Sequence, residues 1–423
     1  MADNLICGID IGSSKIATVV GVKSPDTDEL KIIGFNTTAS RGVRKGLVVD
    51  INEVTKALEE SVEKAERMAG HKLTGAYVSV GGPHISSLNS HGIVAVSNPQ
   101  GEINSEDVDR VIEAARAISL SSTRKIIDVS SRDFIVDGQG GIKNAVGMSG
   151  VRLEVDTHII TASTTNLKNI ERVLEDLGLE NEGFVFAGKA SADSTLTNTE
   201  KELGVILVDI GGGKIDIAIY VDGSLSYSSS IAIGARHITN DIAVGLRVSL
   251  DSAEKIKLHL SKKLKQNVAS TVKKTPQLNF NELNLPENVN EVSLKTLVDD
   301  IIAPRLEEIF KLIFEEIEKS GFGQMVPSGL VITGGGALTV GMVETGKRII
   351  GLPIRLGVPD RVSGLVDEII DPQYASTVGL LLWGSNNIMT SDAGFKNFNK
   401  IWKDFSIGGS IGKFKNFFKQ FIP

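Results

Sequence analysis

Two stretches of this 423-residue chain, about 200 residues apart, spell nearly the same pattern, and that internal repeat constrains the fold more than any other feature. The first reads ICGIDIGSSKIATVVGV and the second VILVDIGGGKIDIAIYV. Asp10 aligns with Asp209, Gly12 with Gly211 and Lys15 with Lys214. In each copy a β-rich run ends in Asp-Ile-Gly, turns on small residues and returns as a second β-rich run, which predicts a β-hairpin. Small residues let backbone N–H groups approach an anion. Lysine adds a mobile positive charge for a phosphate. An aspartate at the strand end is useful there if a partly hydrated Mg2+ stands between carboxylate and phosphates. One Asp-x-Gly turn means little; two matched copies facing each other predict a clamp on a polyphosphate. The chain lacks GxxxxGK[ST], which excludes a Walker-type P-loop. A third glycine cluster, Gly334, Gly335, Gly336 and Ala337, follows a strand-like run at 329–333 and precedes a helical run, a turn that suits close approach to a nucleotide.

The length calls for two to four domains. Strand-like runs occupy residues 5–11, 16–22, 31–35, 76–80, 205–210 and 215–221, and helix-like periodicity covers 51–68, 105–117, 166–177, 294–319 and 340–349. Ser105 reads as an N-cap for the helix that follows it. Three strands precede the first helix, so the order is not a plain alternating βαβ one. Residues 98–101, 138–141 and 276–286 read as loops. Seven lysines between 255 and 274, and an acid-rich stretch at 282–318, read as a solvated helical face and loop.

Net charge is −7 with a pI near 5.6, which argues against nucleic acid as a partner. A lone cysteine, Cys7, cannot form an intrachain disulfide; it fits a reducing compartment and reads as a buried small hydrophobe. The N-terminus lacks the basic and cleavage regions of a signal peptide, and no apolar run reaches the length of a membrane span.

Aromatics make up only 5% of the chain, yet seven of its fifteen phenylalanines lie after residue 394. Phe414, Phe417, Phe418, Phe421 and Ile422 fall on one face of a helix, with Lys413, Lys415 and Lys419 elsewhere on it. From Phe395 to the end there are six lysines and one acid, so an acidic chain carries a basic, amphipathic tail. That pattern predicts an interfacial helix on anionic membrane lipid. Burial of five large apolar side chains gives about 7–15 kcal/mol gross, reduced by ordering and partial burial to a reversible anchor. Phe395, Phe398, Trp402 and Phe405 form an earlier, similar stripe, joined to the helix by a Gly/Ser hinge at 406–412. A terminal helix packed on the body, or in a partner's groove, is the competing reading.

Together the two hairpins and the GGGA turn resemble the actin superfamily. The stretches SRGVRKGLVVDI, YVSVGGPHISSLNSHGIV, DFIVDGQGGIKNAVGMSGVRLEV, FAGKASADSTLTNTEKELGVILVDIGGGKIDIAIY and YASTVGLLLWG more closely resemble the FtsA family of bacterial cell-division proteins, through nearly the whole chain. The resemblance implies an α/β, actin-like fold of two lobes with a nucleotide cleft between them. It implies a first phosphate loop of Asp10, Gly12, Ser13, Ser14 and Lys15, and a second of Asp209, Gly211, Gly212, Gly213 and Lys214. Gly334, Gly335, Gly336 and Ala337 would hold adenosine, Glu254 and Lys257 would reach the ribose and adenine, and Asp10 and Asp209 would meet Mg2+ through water. Two positions depart from a hydrolase. Lys214 stands where many superfamily members have threonine, and Ala187 where chaperone-like members carry a glutamate that orients water. ATP binding with at most slow turnover is the expectation.

The implied domains are 1–83 and 163–195 for the first lobe and 84–162 for an inserted small domain. The second lobe takes 196–236 and 309–390, with its own small domain at 237–308. A linker at 391–410 and the membrane helix at 411–423 follow. The implied function is structural: polymerising at the cytoplasmic face of the membrane at the division septum, anchoring the ring of tubulin-like FtsZ, and recruiting later division proteins. Arg305 and Glu308, in IIAPRLEEIF, would meet the C-terminal peptide of FtsZ, or simply pair with each other at i,i+3. A sugar or small-molecule kinase is one rival, but no motif supplies its acidic base. A pilus-assembly actin homologue is another, and it leaves the Phe/Lys tail unexplained. A chaperone would need a substrate-binding β-domain, which is missing.

Overall fold

The computed structural model describes residues 4–24, 29–267, 277–279, 283–287, 291–365 and 367–392. The Phe/Lys tail, with Lys413, Phe414, Lys415, Phe417, Phe418, Lys419, Phe421 and Ile422, lies outside the described residues, as does the aromatic stripe before it.

The first repeat folds as expected. Strands β1 (Asn4–Ile11) and β2 (Lys15–Lys23) pair antiparallel and β3 (Leu30–Ala39) continues the sheet. A tight hairpin, β4 (Val43–Arg44) and β5 (Leu47–Val48), precedes helix α1 (Ile51–Ala69) and strand β6 (Gly75–Val80). The chain then leaves this sheet. Strand β7 (Ser86–Ala95), helix α2 (Ser105–Arg116), and strands β8 (Arg124–Val136), β9 (Gln139–Ile142) and β10 (Arg152–Ser163) build a separate four-stranded sheet in the order β7-β10-β8-β9, with α2 on one face. Two local readings change here. The N-cap of α2 is Asn104, not Ser105, because Asn104 exchanges bonds with Asp107 in a capping box. Residues 139–142 are strand rather than loop, since the turn is confined to Asp137 and Gly138, both at positive φ.

Helix α3 (Thr164–Asp176) and strand β11 (Glu180–Phe186) return the chain to the first sheet, where β11 pairs parallel with β6. Helix α4 (Ala187–Thr195) and the short α5 (Asn198–Leu203) lead to the second repeat: β12 (Val205–Ile210), β13 (Ile215–Val221) and β14 (Ser224–Ile231). Helices α6 (Arg236–Leu246) and α7 (Leu250–Asn267), a strand pair β15 (Gln277–Asn279) and β16 (Glu291–Ser293), and helix α8 (Ala303–Ser320) follow. The periodicity at 294–319 is not one α-helix: residues Thr296–Ile302 are π-helical and α8 starts afresh beside Pro304, which has no N–H to donate. Strand β17 (Leu330–Thr333), helix α9 (Met342–Ile350) and strand β18 (Ile354–Leu356) complete a second sheet, β14-β13-β12-β17-β18. Strand β19 (Ser363–Gly364) and helix α10 (Ala375–Asp392) cross back to the first, whose order is β11-β6-β1-β2-β3-β19.

Helix α4 lies between the lobes, buried against α10, β12 and β13. No helix among the described residues is long and apolar enough to cross a membrane. Cys7 is buried, and burial raises its thiol well above the ordinary range, so it is inert as a nucleophile.

The inserted domain also touches the second lobe, and that seam is polar. Ser87 Oγ donates to Ser228 O at 2.6 Å, Asn89 Nδ2 to Ser226 O at 3.3 Å and Arg132 Nε to Ser226 Oγ at 3.1 Å. His158 Nε2 lies 3.0 Å from Ser228 Oγ.

At the base of the second lobe Arg355 grips Glu200 with two bonds, at 2.6 and 2.7 Å. That pairing, opposed by partial burial and helped by the capping bond from Thr197, holds the Glu200 carboxyl down at about 2. A depressed carboxylate contributes stability above its unfolded pKa of about 4.3, lost as pH falls toward its folded value. Arg355 is 41% exposed, so screening limits the effect. Arg355→Ala is expected to cost about 1 kcal/mol at pH 7. In urea melts the gap from the parent chain should narrow as pH is lowered from about 5 toward 2.5; a gap independent of pH would refute the ion pair's role.

Candidate functional site

The two repeated turns meet face to face. Each is closed by the same bond: Gly12 N donates to Lys15 O at 3.0 Å, and Gly211 N to Lys214 O at 2.9 Å. Side-chain atoms would not fit between them, since a Cβ on Gly212 would come 3.1 Å from Ser14 Cβ and one on Gly213 2.9 Å from Ser13 Cβ. Asp10 and Asp209 end β1 and β12, and each carboxylate accepts a serine hydroxyl, from Ser79 and Ser191 respectively. Burial pushes the Asp209 carboxyl up to about 6, with Lys214 pulling the other way.

The third glycine cluster closes the same region. Gly334 follows β17, its N–H donates to Pro372 O at 3.0 Å, and a Cβ on it would run into Asp209 Oδ1. Gly335, Gly336 and Ala337 form a 3-10 turn, and a Cβ on Gly336 would meet Ile210 O at 2.7 Å and Ala235 Cβ at 3.1 Å. Ala235 links this turn to the next group: its N–H donates to Gly211 O at 3.0 Å, and its carbonyl faces Lys257. Lys257 is buried, not solvated; its ammonium donates to Thr239 Oγ1 at 2.9 Å and Glu254 Oε2 at 2.8 Å. Close approaches therefore connect the loop residues of both repeats, the glycine turn, Lys257 and Glu254 in sequence.

The aligned lysines behave differently. Lys15 donates to Gln373 Oε1 at 2.9 Å and lies 3.6 Å from the centre of the Tyr374 ring. Burial lowers its pKa to about 7, against the pull of Asp10, Asp371 and Asp209. Lys214 turns onto Asp216. Burial opposes its charge, but Asp216, Asp209 and Asp10 outweigh that and raise its pKa, so it remains an ammonium.

Gln373, Tyr374 and Asp216 escaped the sequence reading. Gln373 had no motif, and Tyr374 opens the stretch YASTVGLLLWG with no role assigned to it; Asp216 could have been found, because the repeat aligns it with Ala17, an acid in place of an apolar residue on the return strand. Ala187 starts α4 and is buried; a Cβ on the next residue, Gly188, would lie 3.4 Å from Asp216 Cβ, and that carboxylate is already engaged by Lys214 and by Ser230 Oγ at 2.6 Å. The Lys45–Gly46 turn is a further missed element: both residues have positive φ, and Gly46 N donates to Ser13 Oγ at 3.0 Å.

Among the described residues no group of three or more His, Cys, Asp or Glu side chains could hold a metal ion.

Away from the cleft, Arg305 on α8 grips Asp241 on α6 with two nitrogens, at 2.9 Å for Nη2, and Glu308 with the third. They border a shallow groove of about 380 Å³ with Val244, Ile301 and Pro304. The i,i+3 pair thus exists, inside a wider network.

Comparison with known proteins gives the lineage. The family model described as "SHS2 domain inserted in FTSA" matches residues 82–161, the span of the four-stranded sheet, and the one described as "Cell division protein FtsA" matches 206–379. The Cell division protein FtsA of Pseudomonas aeruginosa is 39% identical over 381 residues, covering 90% of this chain and 89% of the relative. That of Escherichia coli (strain K12) is 34% identical over 398 residues, 92% of each. Among solved structures, the PilM-PilN type IV pilus biogenesis complex matches with a TM-score of 0.63 at 14% identity, covering 90% of this chain and 98% of that one. MreB 5 of Spiroplasma citri bound to AMPPNP matches with a TM-score of 0.50 at 15% identity, covering 93% and 98%. At that identity the structural likeness speaks for the fold, which is actin-like, while the relatives speak for the lineage: this chain belongs to the FtsA family of cell division proteins.

Proposed function

We propose that this chain is a membrane-tethered, ATP-binding actin homologue that polymerises at the cytoplasmic face of the bacterial membrane at the division septum. It links the FtsZ ring to that membrane and helps recruit later division proteins. The observation that carries this reading is identity of 34–39% to FtsA proteins across about nine-tenths of the chain, inserted domain included. The basic, phenylalanine-rich tail supports the membrane part.

ATP sits between the two repeated turns in this reading. Backbone N–H groups around Gly12, Ser13, Ser14, Gly211, Gly212 and Gly213 face the phosphates, and Gly334 to Ala337 with Glu254 and Lys257 face the nucleoside. Mg2+ carried with the nucleotide meets Asp10 and Asp209 through water. Turnover is slow, because Ala187 cannot position water and Asp216 is held by Lys214.

Co-sedimentation with anionic vesicles tests the tether. The full chain should pellet with lipid, and a chain truncated after Gly409 should stay in the supernatant, with or without Mg-ATP. If both remain soluble at low salt, the membrane role is wrong. The groove at Arg305 and Glu308 is the proposed seat of the FtsZ C-terminal peptide. Arg305→Glu should weaken a labelled peptide's affinity at least about tenfold in fluorescence anisotropy while leaving the vesicle result unchanged. Unaltered affinity would remove this groove from consideration.

A further inference from the structure

The phosphate cleft contains its own cation. In the second repeat Asp209 and Asp216 are directly opposed on β12 and β13, so their side chains share one face, and like charges so placed repel. Asp216 is 1% exposed, leaving no water to screen it. In the first repeat the residue opposite Asp10 is Ala17, and no such conflict arises. The two lysines follow from this difference. Lys15, with no paired acids behind it, reaches across to Gln373 and Tyr374. Lys214 folds back onto Asp216, where Asp209 and Asp10 also attract it.

The wall of the cleft is shaped around that side chain. Gly46 and Gly81 flank it: a Cβ on Gly46 would lie 2.8 Å from Lys214 Cδ, and one on Gly81 would lie 2.7 and 2.8 Å from the two Asp216 oxygens. The Lys214 side chain is 13% exposed, at the junction of both phosphate loops. Its place among Asp10, Asp209 and Asp216 is where an incoming triphosphate needs positive charge most. A hydrated Mg2+ answers that need by bridging carboxylates and phosphates; a fixed ammonium answers it without leaving water trapped.

We propose that Lys214 is a resident counter-ion of the phosphate cleft, so that the chain binds a nucleoside triphosphate without requiring Mg2+. This rests on the reading of the cleft as a nucleotide site. Mg2+ can still accompany the nucleotide, but affinity does not depend on it.

The test is titration of a fluorescent ATP analogue into the full chain with excess Mg2+ and, separately, with excess EDTA. The parent chain's affinity should differ by less than about threefold between the two conditions. Lys214→Thr should lose at least about thirtyfold in EDTA and recover in Mg2+ to within about threefold of the parent. Because Lys214→Thr leaves opposed buried acids, the double variant Lys214→Thr/Asp216→Ala, which copies the uncharged pairing of the first repeat, serves where the single variant melts early. It too should show Mg2+-dependent binding. A parent chain that loses affinity about thirtyfold in EDTA, or a Lys214 variant that binds equally well there, overturns the counter-ion role and leaves the nucleotide reading intact. Absence of binding by the parent chain in Mg2+ overturns both.

Discussion

Gly379→Ala is expected to cost about 3 kcal/mol. Gly379 lies on α10 where that helix crosses α4, and an added Cβ would fall within 2.9 Å of Ala190 Cα and still closer to the Ala190 carbonyl. Every clashing atom is backbone, so no rotamer change relieves it; the helices must move apart. Helix α4 carries Ser191, whose hydroxyl fixes Asp209, so separation reaches the cleft. Gly351→Ala is the control. Gly351 has φ +73 but no atom within 4 Å of the added group, so only backbone strain of about 1 kcal/mol applies. Urea midpoints for the two variants measure the difference. Equal shifts would mean that the helix crossing is not tightly packed.

Gly334→Ala is expected to destabilise by a similar amount, about 3 kcal/mol, and also to weaken ATP binding at least about tenfold. Its φ of 84 and ψ of 164 fall in a region that essentially only glycine occupies. An added Cβ would also meet Ile210 O at 2.6 Å and press on the Asp209 carboxylate. The strain therefore lands on the strand end that carries Asp209, the residue proposed to face the phosphates. Chemical denaturation reads the first effect and labelled ATP the second. Parent-like affinity in a folded Gly334→Ala chain would detach the glycine turn from the nucleotide site.

The repeated hairpins were legible because their chemistry is local: continuous runs of buried, β-rich residues, an acid near the strand end and small residues in the turn. The runs 205–210 and 215–221 match β12 and β13 residue for residue. Less legible was whatever depended on partners distant in sequence. Gln373 and Tyr374 lie more than 350 residues from Lys15, and nothing in their own neighbourhood marks them as its partners. Lys257 sat in a lysine-rich stretch that reads as solvated, yet the packing of α6 against α7 buries it beside Thr239. The break in the 294–319 periodicity left Pro304 as its one visible mark, and apolar spacing hid the π-helical turn before it. The capping box of α2 shows the same limit at short range: Ser105 and Asn104 both have the right chemistry, and backbone direction chose Asn104.

The first lobe is assembled from both ends of the chain. Strand β6 waits for β11, a hundred residues on, and β3 waits for β19. Its second face is sealed by Val378, Leu380 and Leu381 of α10 against Ile6, Ala17 and Val19. Long loops must close before those contacts can reward the chain, and such pairings form slowly. On a ribosome, the strands of this sheet stay without a finished core until β19 and α10 have emerged. The inserted domain, whose strands and helix are contiguous in sequence, can fold long before them. The lobe that is translated first is thus the last to be completed.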